Sequence, residues 1–329
     1  MKKLKLSFVD VEHKSVSGML KWLSGIYALD VGSKDPDFVI HSCFGTDVLR
    51  FAGVRVAWLG ENLQPNFNVS DYALGFGRMH YGDRYMRVPL YRWYLPEYES
   101  LFNPDRSVRL IDGRHELASK SRFCTATISN GSRGEFFERL FEALPTYRPV
   151  ASGGRWRNNV GGAVREKLTF IRQGKFHIAF ENSSTSGYIT EKIMHAFAAH
   201  TIPIYWGAPD IGEDFNPKAY INCHQYDSVD AVMARVRELD CDDTAYTAML
   251  EEPCFARGAE PESLRKQAIM EWLRHIFDQP RELAYRRNRQ YWGARYESEL
   301  STAYFRPHIQ TAKLAVRRFR KFVKRMRSQ

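Results

Sequence analysis

A chain of 329 residues, 44% apolar and 26% charged, can bury two ordinary domain cores, which excludes a disordered or fibrous polymer. Its five cysteines (Cys43, Cys124, Cys223, Cys241, Cys254) are scattered and never spaced CxxC, which argues against a disulfide framework and a structural zinc site and points to a reducing compartment. The net charge of +10 is concentrated in residues 313–327, KLAVRRFRKFVKRMR, with eight Lys or Arg and no acid; removing those eight leaves +2 on the remainder.

The opening MKKLKLSFVDVEHK has too short an apolar stretch before Asp10 and Glu12 for a signal peptide, and its residues 4–9 read as a first strand. Apolar runs at 37–41, 54–59 and 72–76 continue a strand series, each bounded by Gly, Asp or Asn. Residues 95–122 are polar and irregular. A second series follows at 123–129, 176–182, 201–207 and 219–223, with helices predicted at about 134–144, 163–173, 190–200 and 228–239. Strands alternating with helices predict an α/β fold with two doubly wound parallel sheets, and ligands at the carboxyl ends of the strands in a cleft between the halves. After residue 260 the pattern is helical, ESLRKQAIMEWLRHIF being the clearest stretch. In the tail, Ile309, Ala312, Val316, Phe319, Val323 and Met326 recur at spacings of three or four, one face of a helix. No apolar run approaches the roughly 18 residues of a membrane-spanning helix.

The stretch FENSSTSGYITEKIMHAFAAHTIPIYWG (180–207) passes from a strand through a small polar loop into a helix and a second strand. Thr190 is read as the helix N-cap, Glu191 as its first turn, and Ile193, Ala196, Phe197 and His200 as its core-facing stripe. A helix N-terminus after a strand suits a phosphate, and Lys192 adds a charge there. Neither GxxxxGK[ST] nor a GxGxxG in the right context is present, so these residues alone fit a capped structural helix equally well.

Read whole, the segment resembles the α-1,3/4-fucosyltransferase family, which transfers L-fucose from GDP-fucose. Phe180, Glu181, Asn182, Tyr188, Thr190, Glu191, Lys192, Pro203, Ile204, Tyr205 and Gly207 match the family pattern in place. So do GENLQPNFNVSDYALGFG (60–77), DRYMRVPLY (83–91), SRGEFFERL (132–140) and DFNPKAYIN (214–222), a likeness reaching over roughly residues 37–255. The resemblance implies a GT-B architecture, two Rossmann-like domains facing a cleft, with the donor held mainly by the second. The expected boundaries are 1–115 for the acceptor domain, 116–300 for the donor domain with trailing helices, and 301–329 for the basic amphipathic tail.

Carried over, the resemblance implies that Arg133 and Lys192 neutralise the diphosphate while Asn182, Tyr188 and Glu191 hydrogen-bond the nucleotide or the fucosyl group. Arg157, beside the glycines of GGRWRN, is a further donor-binding candidate. GDP-fucose is β-linked and the family's products are α, so the reaction inverts the anomeric centre and needs one base. Glu61, in the family's Gly-Glu-Asn segment, is that candidate; a loop cap or a pairing with Arg84 or Arg87 is the structural alternative.

No metal or other cofactor is expected: Asp35-Pro36-Asp37 and Asp240-Cys241-Asp242 read as chance DxD strings, and His41, His80 and His177 lack ligand spacing. The chain resembles the bacterial type, expected in the cytoplasm, peripheral on the inner face of the membrane through its tail, and acting on a β-galactoside glycan of lipopolysaccharide O-antigen. The competing reading is a nucleic-acid-binding protein using the tail. The near-neutral body and the lack of a recognised binding module argue against it.

Overall fold

The computed structural model describes residues 1–11, 13–131, 134–287, 290–306 and 316, with the side chains of 13–15 left aside. Two parallel sheets organise it, as expected. The first has six strands, β1 (Lys2–Val9), β2 (Tyr27–Val31), β3 (Phe38–His41), β4 (Val54–Trp58), β5 (Tyr72–Gly75) and β6 (Tyr85–Arg87), in the order β2-β1-β3-β4-β5-β6. The second has five, β7 (Arg122–Ala126), β8 (Val150–Ser152), β9 (Gly174–Phe180), β10 (Ile202–Trp206) and β11 (Ile221–Asn222), in the order β11-β10-β9-β7-β8. β3 and β4 are buried at every position and β9 and β10 at nearly every one, so both faces of each strand are covered.

All eight strands read from the sequence are present. The three that were not read, β2, β6 and β8, are edge strands. Each is only three to five residues long, too short for an apolar pattern to stand out. The helix His13–Ser24 was also missed, although Val16, Met19 and Leu23 are fully buried at helical spacing.

Compact units divide the chain differently from the expected boundaries. One unit comprises residues 1–74, 80–86 and 270 onward; the other comprises 75–79 and 87–269. The trailing helices therefore belong to the first unit rather than the second, and particular contacts hold them there. Phe277 packs edge-on against Tyr27 and Phe38, at 6.2 and 4.9 Å between ring centres. The Trp272 indole N–H donates to the Asp83 carbonyl at 3.0 Å. The backbone N–H groups of Arg286 and Arg287 donate to the buried Asp71 carboxylate at 2.9 and 2.8 Å, and the Arg287 guanidinium meets it at 2.5 Å. A buried pair of this kind is costly to break on one side only.

In the second unit an apolar core joins β7, β9 and β10 to the helices Glu135–Tyr147 and Val229–Cys241, with Phe137, Leu144, Phe176, Ile204 and Val236 among its most buried members. The expected tail helix at 309–327 lies outside the described residues apart from Val316.

Candidate functional site

In the second unit, β9 ends at Phe180, and the next residue organises the loop that follows. The Glu181 N–H donates to the Trp206 carbonyl at 2.8 Å, which carries the chain alongside the end of β10. Its carboxylate is fully buried. It accepts from the Thr190 N–H at 2.7 Å, the Thr190 hydroxyl at 2.6 Å and the Lys192 ammonium at 2.9 Å. Gly207 lies against it so closely that a Cβ there would sit 2.5 Å from both Glu181 Cγ and the Tyr205 hydroxyl oxygen.

Thr190 does occupy the N-cap of the helix Glu191–Ala198, but its side chain makes no capping bond. The hydroxyl turns to Glu181 and accepts from Lys192 at 2.7 Å. The expected core stripe is also altered: Ile193, Met194, His195 and Ala196 are all buried, while His200 lies past the helix end with φ +51°. The helix sits so deep that four consecutive positions are covered, and no single face describes it.

Lys192 was expected to add a charge at this terminus. That charge is already compensated by Glu181. A second pair sits beside it: the Glu191 carboxylate lies 3.9 Å from both Lys192 and Lys167. Burial would raise the Glu191 pKa, but Lys192 and Lys167 outweigh it and hold the carboxyl down to about 2. Burial, aided by Lys167, pushes His177 and His195 down to about 3, so both rings are neutral. The cluster thus carries two carboxylates, two ammoniums and two neutral imidazoles, a charge-balanced set.

The rest of the loop is fastened from below. Gly187 has φ +73°, and a Cβ there would lie 2.7 Å from the Phe76 carbonyl oxygen. Asp210 accepts from the Ser186 hydroxyl at 2.7 Å, the Gly187 N–H at 2.8 Å and Arg78 at 2.6 Å. Burial works against ionisation, but these donors outweigh it and hold the Asp210 pKa at about 2. Asp214 receives Arg87 through two N–H groups at 2.8 Å each, Arg78 at 2.5 Å and the Tyr91 hydroxyl at 3.2 Å. This frame of Arg78, Arg87, Asp210 and Asp214 was not read from the sequence. Its signal was there, since Arg87 and Asp214 fall in DRYMRVPLY and DFNPKAYIN, but nothing linear says that they meet.

The other expected site residues are placed unevenly. Asn182 is exposed at the start of the loop. Tyr188 is buried, its ring edge-on to Phe76 at 5.1 Å. Arg157 is exposed, pairs with Glu142 at 2.9 Å and lies over the Trp156 ring at 4.7 Å. Arg133 lies outside the described residues.

Glu61 belongs to the first unit, just beyond the carboxyl end of β4, and is exposed. Neither arginine named as its alternative partner pairs with it. Arg84 donates to the carbonyls of Asp71, Ser70 and Phe67 at 2.7, 3.0 and 3.1 Å, and Arg87 is held by Asp214. Among the described residues, Glu61 forms no ion pair.

Of the two DxD strings, the second is structural: Asp240 pairs with Arg148 at 2.8 Å and Lys175 at 2.9 Å, and Asp242 caps the helix Asp243–Glu251. Among the described residues, no group of three or more His, Cys, Asp or Glu side chains gathers to hold a metal ion.

Two family models match the chain, one for each sheet. Residues 6–94 match the alpha-(1,3)-fucosyltransferase FucT N-terminal domain, and residues 117–251 match the C-terminal part of glycosyltransferase family 10 (fucosyltransferase). The chain belongs to glycosyltransferase family 10. Glu61 lies in the first matched region of this family 10 chain, and Glu181, Glu191 and Lys192 lie in the second.

The alpha-(1,3)-fucosyltransferase FucT of Helicobacter pylori is 34% identical over 228 residues, covering 60% of this chain and 46% of that protein. An alpha-(1,4)-fucosyltransferase of Arabidopsis thaliana is 33% identical over 130 residues, covering 33% of this chain and 32% of that protein. The family 10 chain thus spans less than half the length of these curated relatives. A crystal structure of an alpha1,3-fucosyltransferase with GDP-fucose superposes with a TM-score of 0.70 at 28% identity, covering 85% of this chain and 92% of that one.

Proposed function

We propose that the chain transfers L-fucose from GDP-β-L-fucose, with inversion, to a hydroxyl of a β-galactoside or N-acetyllactosamine-type glycan, forming an α-1,3 linkage. The observation that carries this reading is the interlock of Glu181, Thr190 and Lys192 inside the family 10 match. It sets an ammonium and a polar loop at the carboxyl end of β9, where a nucleotide-sugar ligand of this fold class binds. The crystal structure of the similar alpha1,3-fucosyltransferase with GDP-fucose supports the choice of donor.

In the proposed reaction the acceptor hydroxyl oxygen attacks the anomeric carbon as its proton passes to the Glu61 carboxylate. The bond from that carbon to the diphosphate oxygen breaks, and GDP leaves with the bonding pair. Lys192, with Arg133, meets the charge that develops on the diphosphate. Asn182, Tyr188 and Glu191 orient the nucleotide or the fucosyl group, and Arg157 supports the donor. Tyr188 does this from its buried position by setting the loop shape. The scheme needs one base and no metal.

We place the protein in the cytoplasm, on the inner membrane face through its basic tail, in the synthesis of lipopolysaccharide O-antigen. Among the described residues no helix is long and apolar enough to cross a membrane. The test is incubation with GDP-fucose and N-acetyllactosamine, with and without EDTA, followed by linkage analysis. A fucosylated α-1,3 product in both conditions is expected. Activity abolished by EDTA and restored by Mn²⁺ would refute the metal-free scheme, and absence of any fucosylated product would refute the transfer.

A further inference from the structure

In the first unit, the loops that follow the carboxyl ends of β3, β4 and β5 carry large apolar side chains that face solvent. Phe44 is 68% exposed, Leu63 52% and Tyr81 45%. The N–H of Leu63 donates to the Glu61 carbonyl at 2.7 Å, so Leu63 and the candidate base share one tight turn of the β4 loop. A single exposed apolar residue is ordinary; three on the loops at the same end of adjacent strands, with Glu61 on the middle loop, suggest a ligand.

Tyr81 is the built part of the patch. Its ring stacks on Phe67 with centres 4.4 Å apart and planes 21° from parallel. The Arg84 guanidinium lies 4.9 Å from the Phe67 ring centre and 5.1 Å from that of Tyr81. Its three carbonyl partners clamp it in place. The Arg84 N–H donates to the Tyr81 carbonyl at 3.1 Å, closing a turn in which Gly82 has φ +55°. Phe67 in turn packs on the cluster of Ala57, Leu59, Ala73 and Tyr85, as does Cys43. The ring is therefore fixed before any ligand arrives, and little side-chain entropy is lost when something stacks on it.

The chemistry of the patch selects its ligand. Glu61 disfavours an anion, and the Arg84 donors are directed to carbonyls. A flat aromatic face and a carboxylate on neighbouring loops at one end of the sheet suit a neutral molecule with one apolar face and a hydroxyl edge, which describes a pyranose ring. We propose that Tyr81, backed by Phe67 and Arg84, is the platform on which a neutral pyranose of the acceptor glycan stacks beside Glu61; this deepens the transfer reaction proposed above and rests on it.

The experiment is NMR titration of the full chain with N-acetyllactosamine in the absence of donor, for wild type, Tyr81→Phe, Tyr81→Ala and Tyr81→Leu. Tyr81→Phe is expected to bind as wild type does. Tyr81→Ala and Tyr81→Leu are expected to bind about three- to tenfold more weakly, the range for loss of one aromatic contact. Leu keeps an apolar side chain on Phe67, so it remains informative if Ala perturbs the loop. A parallel titration with GDP should be the same in all four proteins. Equal glycan affinity in wild type and Tyr81→Leu, or no glycan binding to the wild type, would overturn the platform. Glycan binding that needs Tyr81, in a protein that does not transfer fucose, would overturn the reaction and leave the platform standing.

Discussion

The Lys192 ammonium lies 2.9 Å from the carboxylate of Glu181, a side chain with no solvent exposure. The pair joins the end of a strand to the first turn of a helix and holds the cation at one place. An anion arriving here would have to share that cation's hydrogen bonds with Glu181 and Thr190. Position, rather than surplus charge, is what this arrangement supplies.

Removing either partner should separate these contributions. Glu181→Gln places an amide N–H against Thr190 or Lys192, and urea denaturation is expected to show a loss of about 3–5 kcal/mol, the usual size for one-sided removal of a buried pair. Lys192→Ala and Arg133→Ala should weaken GDP binding, each by about 1.5–3 kcal/mol, as for a lost hydrogen bond to a charged group. Calorimetry giving unchanged GDP affinity in both variants would remove them from the phosphate site.

Glu61→Gln addresses the chemical step. A base acts in the transition state, so turnover is expected to fall about 10²–10⁴-fold while GDP affinity is unchanged. Near wild-type turnover would take Glu61 out of the mechanism.

Gly207→Ala tests the close approach. Its Cβ would meet Glu181 Cγ and the Tyr205 hydroxyl oxygen at 2.5 Å, and both are buried. The expected cost is about 1–3 kcal/mol of stability, typical of overpacking, with weaker GDP binding because Glu181 is displaced. A thermal midpoint equal to wild type would show that the contact relaxes without consequence.

The buried histidines set the acid limb. Burial holds His41 at about 4 and His177 and His195 at about 3, against an ordinary value of 6.5. The unfolded chain takes up these protons as pH falls below 6.5, whereas the folded chain refuses them until pH 4 to 3. Stability is therefore complete above pH 6.5 and declines on acidification, by about 1.4 kcal/mol per pH unit for each histidine. His177→Gln should make that decline shallower by one histidine's share in urea titrations between pH 6.5 and 4. An identical slope would show that His177 does not contribute.

The tail is expected to bind anionic membranes reversibly. Each cation near such a surface contributes at most about 1 kcal/mol, screened by salt. Deletion of residues 306–329 should abolish co-sedimentation with anionic liposomes and spare activity on soluble acceptors. Equal pelleting of both forms at low salt would show that the tail is not the anchor.

Alternating strand and helix patterns determined the fold class and eight of the strands, most clearly those in the middle of a sheet, because a strand buried on both faces must be apolar throughout. The ordered signature from Phe180 to Gly207 determined the family, since its spacing is local and survives in one dimension. Sequence also singled out Glu61 and Lys192 as candidates, but not their surroundings. Only the tertiary structure decided that Lys192 is neutralised by Glu181, that Thr190 turns from its cap to that carboxylate, and that Arg87 meets Asp214 far along the chain. It also decided that the trailing helices join the first unit through Phe277 and Arg287. These are contacts between segments distant in sequence. Their energy depends on desolvation and geometry at the meeting point, and no linear pattern encodes either.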